Sequence, residues 1–196
     1  MAYQMTGLHC PNCGGSQFTE DQKNCLFCGG AVILTSISNV QSFTPLDLNK
    51  YANSYRKQLA DNPNNDALNM SLAMCYLQLR LYDKALPVFE KAMDDNLDNS
   101  EVFFYAAVAL LRGKKAFIAQ RTDINKVIEY LNAAIMIEAK GLYFSFLAYV
   151  KYDYFERKFL NISPNWQEEI QNGAIIADFS QLAEILQVEM PECLLI

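Results

Sequence analysis

The sequence predicts an all-α fold: a solenoid of stacked helical hairpins, preceded by a small β-rich ribbon held by four cysteines. Three observations carry this. Asp66–Asn99 reads D-A-L-N-M-S-L-A-M-C-Y-L-Q-L-R-L-Y-D-K-A-L-P-V-F-E-K-A-M-D-D-N-L-D-N, with two helical apolar patterns back to back. The second of these patterns returns further on, at Asn125–Ala134. Two C-x-x-C pairs, Cys10/Cys13 and Cys25/Cys28, stand in a segment unlike everything after it.

The central stretch justifies the hairpin. Leu68, Leu72, Ala73, Tyr76 and Leu79 share one helical face. Ala85, Leu86, Phe89 and Ala92 share another at the i, i+3, i+4, i+7 spacing of an amphipathic helix. Arg80–Asp83 leaves room only for a tight turn. Two short antiparallel helices cannot bury their own apolar faces, so the unit must stack on others like it.

This spacing resembles the tetratricopeptide repeat. Leu72, Ala73 and Tyr76 match its Leu, small and Tyr positions, and Ala85 and Phe89 its Ala and Phe. Asn69 stands where an aromatic is usual and Leu97 where Pro is usual, while one repeat earlier the Pro position is filled by Pro63. Glu101–Leu111 aligns with the next opening helix, with Phe103, Ala106, Ala107 and Leu110 in the pattern positions. Asn125–Ala134 aligns with Asp83–Ala92 at a shift of 42 residues. The repeat length is about 34, so about eight residues are inserted, near Gly113–Asp123. A third opening helix, Leu142–Phe155, places Leu147 and Ala148 in the Leu and small positions.

Taken in order, residues 7–34 form the ribbon, 35–44 a polar linker and 45–190 the tetratricopeptide-like domain. Each C-x-x-C closes a tight turn that points two sulfurs at one place. The glycines after each pair permit positive φ and let backbone N–H groups approach the sulfurs. Cys10, Cys13, Cys25 and Cys28 thus offer four soft ligands in a tetrahedral set, which suits one structural Zn²⁺. The pattern resembles the small zinc ribbons found at the N-termini of bacterial multidomain proteins. Two redox pairs are the other reading, but the strand–CxxC–helix setting of a thioredoxin is missing. His9, the single histidine, could substitute as a ligand, but four cysteines already fill the set and it reads as a solvated neighbour.

Thr44 is placed to cap a first helix from Pro45 to Ala60. Lys140–Gly141 separates the fourth repeat helix from the aromatic stretch Leu142–Leu160. Ser163 is expected to cap a short helix holding Trp166, and Asp178 a last helix, Phe179–Val188. Cys75 reads as a small core residue.

Composition narrows the function. The 196 residues are 52% hydrophobic with a net charge of −6, a poor overall field for nucleic acid. Lys23 is the only lysine or arginine from Met1 to Asn49, so the ribbon lacks a phosphate-binding footprint. No apolar run of about 18 residues is present, so no membrane span is expected, nor is a signal peptide read at the start. A cytoplasmic protein with reduced thiols is the expectation. Cys193-Leu194-Leu195-Ile196 has the form of a prenylation box, but no polybasic stretch or second acylable cysteine supports an anchor. Phosphate-loop, dinucleotide and zinc-protease motifs are missing, and paired carboxylates such as Asp94–Asp95 and Glu168–Glu169 diverge on a helix. No enzyme is expected.

The repeat resemblance implies a non-catalytic scaffold or adaptor for a protein or peptide partner. It implies a concave face lined by the opening helices, here Met70, Met74, Leu77, Phe104, Val108, Leu111, Tyr149 and Tyr152. This set lacks the Lys, Arg and Asn with which chaperone-binding members clamp a terminal carboxylate. An apolar surface with adaptable methionines suits a hydrophobic segment. The insert, with Lys114, Lys115 and Arg121, is a second candidate contact, for an acidic segment. A nucleic-acid-binding or transcription accessory protein is the alternative that the ribbon alone favours. Since the linker has little to pack and metal stabilises only the ribbon, a fragment beginning at Thr44 is expected to keep its helical circular dichroism and a cooperative melt. Loss of that melt would make the ribbon part of the helical core.

Overall fold

The computed structural model describes residues 13, 25–29, 43–61, 63–95, 98–173 and 178–195. Cys10, His9, Lys23, Leu97 and nearly all of the expected ribbon and linker lie outside the described residues. Eight α-helices are present among those described: α1 Pro45–Asp61, α2 Asp66–Gln78, α3 Tyr82–Asp95, α4 Ser100–Leu111, α5 Arg121–Ile137, α6 Gly141–Val150, α7 Trp166–Asn172 and α8 Phe179–Leu186. No strand occurs among the described residues. No helix is long and apolar enough to cross a membrane, among the same residues. The chain divides into two compact units, residues 1–88 and 89–196, with the division inside α3.

In the first unit α1 packs against α2. The Asp47 N–H donates to Thr44 Oγ1 at 3.2 Å, so Thr44 caps the helix that Pro45 begins. Leu48, Tyr51, Ala52 and Tyr55 form the buried stripe of α1. Asn65 caps α2 by accepting from the Leu68 N–H at 3.1 Å. Cys75 is buried in α2, and burial pushes its thiol up to about 12. The turn after α2 is tighter than expected. Arg80 takes a left-handed φ of 57° and Leu81 N–H returns to the Tyr76 carbonyl at 2.8 Å, so α3 starts at Tyr82. Lys84 then lies 5.8 Å over the Tyr76 ring, α3 facing α2.

In the second unit α4 packs against α5 and α5 against α6. Fully buried Ala106, Ala107 and Ala109 let the backbones approach closely. Ile124, Val127, Leu131 and Ala134 form the buried stripe of α5. Val127 and Leu131 stand 42 residues after Ala85 and Phe89, and all four side chains are fully buried. Glu90 accepts from Lys126 and from the Tyr130 hydroxyl, the latter at 2.8 Å. Partial burial opposes ionisation of Glu90, but these two donors hold its carboxyl below the ordinary carboxylate value.

Two expectations change at the end of this unit. The helix expected over Leu142–Phe155 stops being α-helical at Val150 and widens into a π turn, Lys151–Phe155, followed by a 3₁₀ turn, Glu156–Lys158. The residue capping the Trp166 helix is Asn165, not Ser163. Asn165 accepts from the Glu168 N–H while Glu168 accepts from the Asn165 N–H, a closed capping box. Asp178 caps α8 as expected, accepting from Gln181 N–H at 2.8 Å. The last helix is two residues shorter than expected, ending at Leu186 before Gln187 turns left-handed.

Lys151 on the π turn is fixed by α7. Its ammonium pairs with Glu169 and donates to the Pro164 carbonyl at 2.8 Å, and both charged side chains are buried. Removing one partner leaves the other charge buried alone. Glu169→Ala is therefore expected to cost about 3–5 kcal/mol in urea unfolding. Asn165→Ala, which removes only a cap, should cost about 1 kcal/mol. Equal costs would mean that Lys151 reaches water once Glu169 is gone.

Candidate functional site

The described cysteines of the expected ribbon converge. Cys13 Sγ lies 3.4 Å from Cys25 Sγ. The sulfurs of Cys13, Cys25 and Cys28 all lie within 4.8 Å of one another. A tetrahedral zinc with Zn–S bonds of about 2.3 Å sets its sulfurs about 3.8 Å apart, so this spacing brackets a metal-bound set. The local backbone has the expected form. Phe27 N–H donates to Cys25 Sγ at 3.4 Å, and Gly29 N–H closes onto the Cys25 carbonyl at 2.8 Å. Gly29 sits at φ 68° with nothing near a would-be Cβ, so conformation rather than space requires glycine here. Cys25 is 2% exposed, while Cys13 and Cys28 face outward. These three could hold a metal ion.

The residues expected on a concave face are placed differently. Met74, Leu77, Phe104, Val108, Leu111 and Tyr149 are buried, and Met70 and Tyr152 are half-buried. Phe104 packs 5.1 Å from the Tyr143 ring and edge-on to Phe146 at 5.8 Å. Tyr152 meets Trp166 edge-on at 5.3 Å. An opening helix packed on more than one side turns most of its apolar residues into core. Apolarity at helical spacing signals burial, and burial by neighbours is what the structure supplies.

The insert is folded down. Ala116–Ile118 forms a 3₁₀ turn whose N–H groups reach the π-turn region. Ala116 N–H donates to the Tyr149 hydroxyl at 3.3 Å, and Phe117 N–H to Asp153 Oδ2 at 2.7 Å. Phe117 is half-buried, while Ile118 stays exposed. Lys114 and Lys115 face solvent, with Lys115 3.5 Å from Glu189. Arg121 is exposed as the first residue of α5 and donates to Asn125 Oδ1 at 3.1 Å.

Sequence reading missed the surface beside it. The face of α5 opposite its buried stripe lines an open groove of about 610 Å³, from Arg121 and Asn125 through Asn132 to Met136. Phe155 and Ile162 line it as well. Met136 is 87% exposed. The signal was present: Ile128 and Met136 are apolar residues at helical spacing on the polar side of an amphipathic helix.

No family model matches the chain, and no curated protein matches it. Several solved chains are similar to it, three of which follow. One, "MamA MSR-1 C2", has a TM-score of 0.49 and 21% identity, covering 77% of this chain and 72% of that one. "MamA AMB-1 P212121" has a TM-score of 0.47 and 21% identity, covering 78% and 74%. "MamA AMB-1 C2221" has a TM-score of 0.47 and 18% identity, covering 76% and 86%.

Asp153 holds the insert by its backbone, so Asp153→Ala should leave the Phe117 N–H without its acceptor. Loss of about 1–3 kcal/mol is expected, with faster hydrogen exchange at Phe117. Unchanged exchange would mean that Tyr149 and the Phe117 ring hold the insert alone.

Proposed function

We propose that the chain is a non-catalytic protein-interaction module, a tetratricopeptide-like scaffold or adaptor carrying a structural zinc ribbon. The observation that carries this reading is the open groove along α5, where a helix whose other face is core presents exposed Met136 beside polar Asn125 and Asn132. Apolar anchors with a few polar groups along a groove are what a peptide segment needs. Of the insert cations Arg121 lines this groove, Lys114 and Lys115 are exposed, and the three serve as its charged contact. Of the concave-face set, Met70 and Tyr152 retain partial access and are kept as partner contacts; the buried members support the helices behind them.

Cys10 completes the set begun by Cys13, Cys25 and Cys28, and together they hold one Zn²⁺. The ion is structural: four thiolates leave no open position, and its binding supplies the ribbon's folding free energy. Thiolate ligation suits a reducing compartment, and we place the protein in the cytoplasm.

Elemental analysis of protein purified in reducing buffer is expected to show about one zinc per chain, reduced by Cys10→Ser and by Cys25→Ser. Four freely titrating thiols with no zinc would remove the ribbon from this reading. Crosslinking in the native host, compared between wild type and Met136→Asp, is expected to lose a partner in the variant. Titration with single-stranded and duplex oligonucleotides at low salt tests the nucleic-acid alternative. Tight, steeply salt-dependent binding would reverse the ranking.

A further inference from the structure

The insert and the π turn meet in a cluster of cations and rings. Arg157 lies 4.5 Å over the Phe117 ring and Lys158 5.0 Å over the same ring. Lys158 also stands 3.6 Å from the Tyr154 ring centre. Arg121 lies 4.5 Å over Phe155 and 5.7 Å over Tyr154. The contacts run unbroken from Arg157 to Phe155, and Arg121 and Phe155 are also walls of the α5 groove.

The charge of this corner is only partly cancelled where it sits, although Asp123 stands in the first turn of α5 and Glu129 lines the groove. Asp153 pairs with Arg157, and Glu189 with Lys115. Among the described residues Arg121 and Lys158 have rings, not carboxylates, as their charged-group partners. A ring holds a cation through its quadrupole and leaves its net charge intact. It also holds the long side chain in place, which lowers the ordering cost of binding. The uncapped first turn of α5 points its backbone N–H groups to the same corner, with Asp123 on that turn offsetting part of the helix's positive end.

We propose that this corner receives the acidic residues of a partner segment whose apolar side chains continue into the groove along α5. The proposal rests on the reading of the chain as a protein-interaction module and names the chemistry of its partner. From Arg121 to Met136 the groove follows α5 for about 22 Å, the span of about seven extended residues. Asn125 and Asn132 are separated by about 10 Å along the helix, near three residues of extended chain; the Asn132 amide offers a donor and an acceptor to a peptide backbone, and Asn125, whose Oδ1 accepts from Arg121, offers its donor. The chain's own end shows the same pairing of charge and apolar anchor beside the corner. Glu189 meets Lys115, and the next residue, Met190, is buried.

A short acidic peptide fits this surface better than nucleic acid does. At physiological salt the Debye length is about 8 Å, so a short segment feels the corner and little else. A duplex carries one charge per about 1.7 Å and would run onto the rest of a chain whose net charge is −6.

The test uses the full-length, zinc-loaded protein and fluorescence anisotropy. The probes are a labelled peptide with a run of glutamates followed by alternating leucines and serines, the same peptide with glutamines for glutamates, and a labelled single-stranded oligonucleotide. The glutamate peptide is expected to bind saturably, at least about tenfold tighter than the glutamine peptide at low salt, with the gap closing as salt rises. Lys158→Glu and, separately, Arg121→Gln should close most of that gap. Met136→Asp should weaken both peptides. Each variant is checked by its melting curve, and none removes a buried group. Equal affinity for the two peptides would overturn the proposal and leave the interaction-module reading standing. Absence of peptide binding would also overturn it, and crosslinking in the host would then judge the module reading by itself. An oligonucleotide bound more tightly than the glutamate peptide would overturn the proposal in favour of a nucleic-acid partner.

Discussion

The buried carboxylate of Asp153 is the constraint on which the surface of the second unit depends. Its side chain is 1% exposed. One oxygen accepts the Phe117 N–H and the other pairs with Arg157. A carboxylate removed from water is costly unless its lone pairs are filled, so the insert must fold back and Arg157 must reach it. The π turn sits at this place and shifts the register of the residues after Val150. Phe155 thereby lines the groove while Lys158 stands over the Phe117 and Tyr154 rings. A buried charge thus sets the position of both walls of a surface made mostly of other residues.

Much of the helical fold was legible because it is local. Thr44 and Asp178 cap the helices they precede, and the stripe Val127, Leu131, Ala134 falls where the shift of 42 residues puts it. What was not legible depends on neighbours. Ser163 and Asn165 are both good caps by type, and only Glu168 closing back on Asn165 decides between them. The change from α to π at Lys151 has no propensity signal in K-Y-D-Y-F. It follows from the partners that Lys151 and Asp153 find in α7 and the insert.

The candidate sites divide the same way. C-x-x-C followed by glycine fixes sulfur direction within five residues, so the knuckle at Cys25–Gly29 takes the form its spacing implies. A partner surface has no such local rule. Phe104 and Tyr149 are apolar enough for a groove, yet their rings serve the core. Ile128 and Met136 lie on the polar side of α5, which is where a folded helix can still meet a partner. The general distinction is between apolar residues on the majority-apolar face, which the fold consumes, and apolar residues out of place on the other face.

Charge follows the same logic of exception. In a chain of net charge −6, scattered lysines paired with glutamates, such as Lys126 with Glu90 and Lys140 with Glu101, contribute little beyond solubility and modest local order. Arg121 and Lys158 depart from that pattern, since aromatic rings hold them without neutralising them. The acidic remainder of the chain then sharpens their effect, because it repels any polyanion long enough to extend past the corner and leaves the local attraction to a short one. Overall charge and local charge of opposite sign thereby select for the length of a ligand as well as its sign.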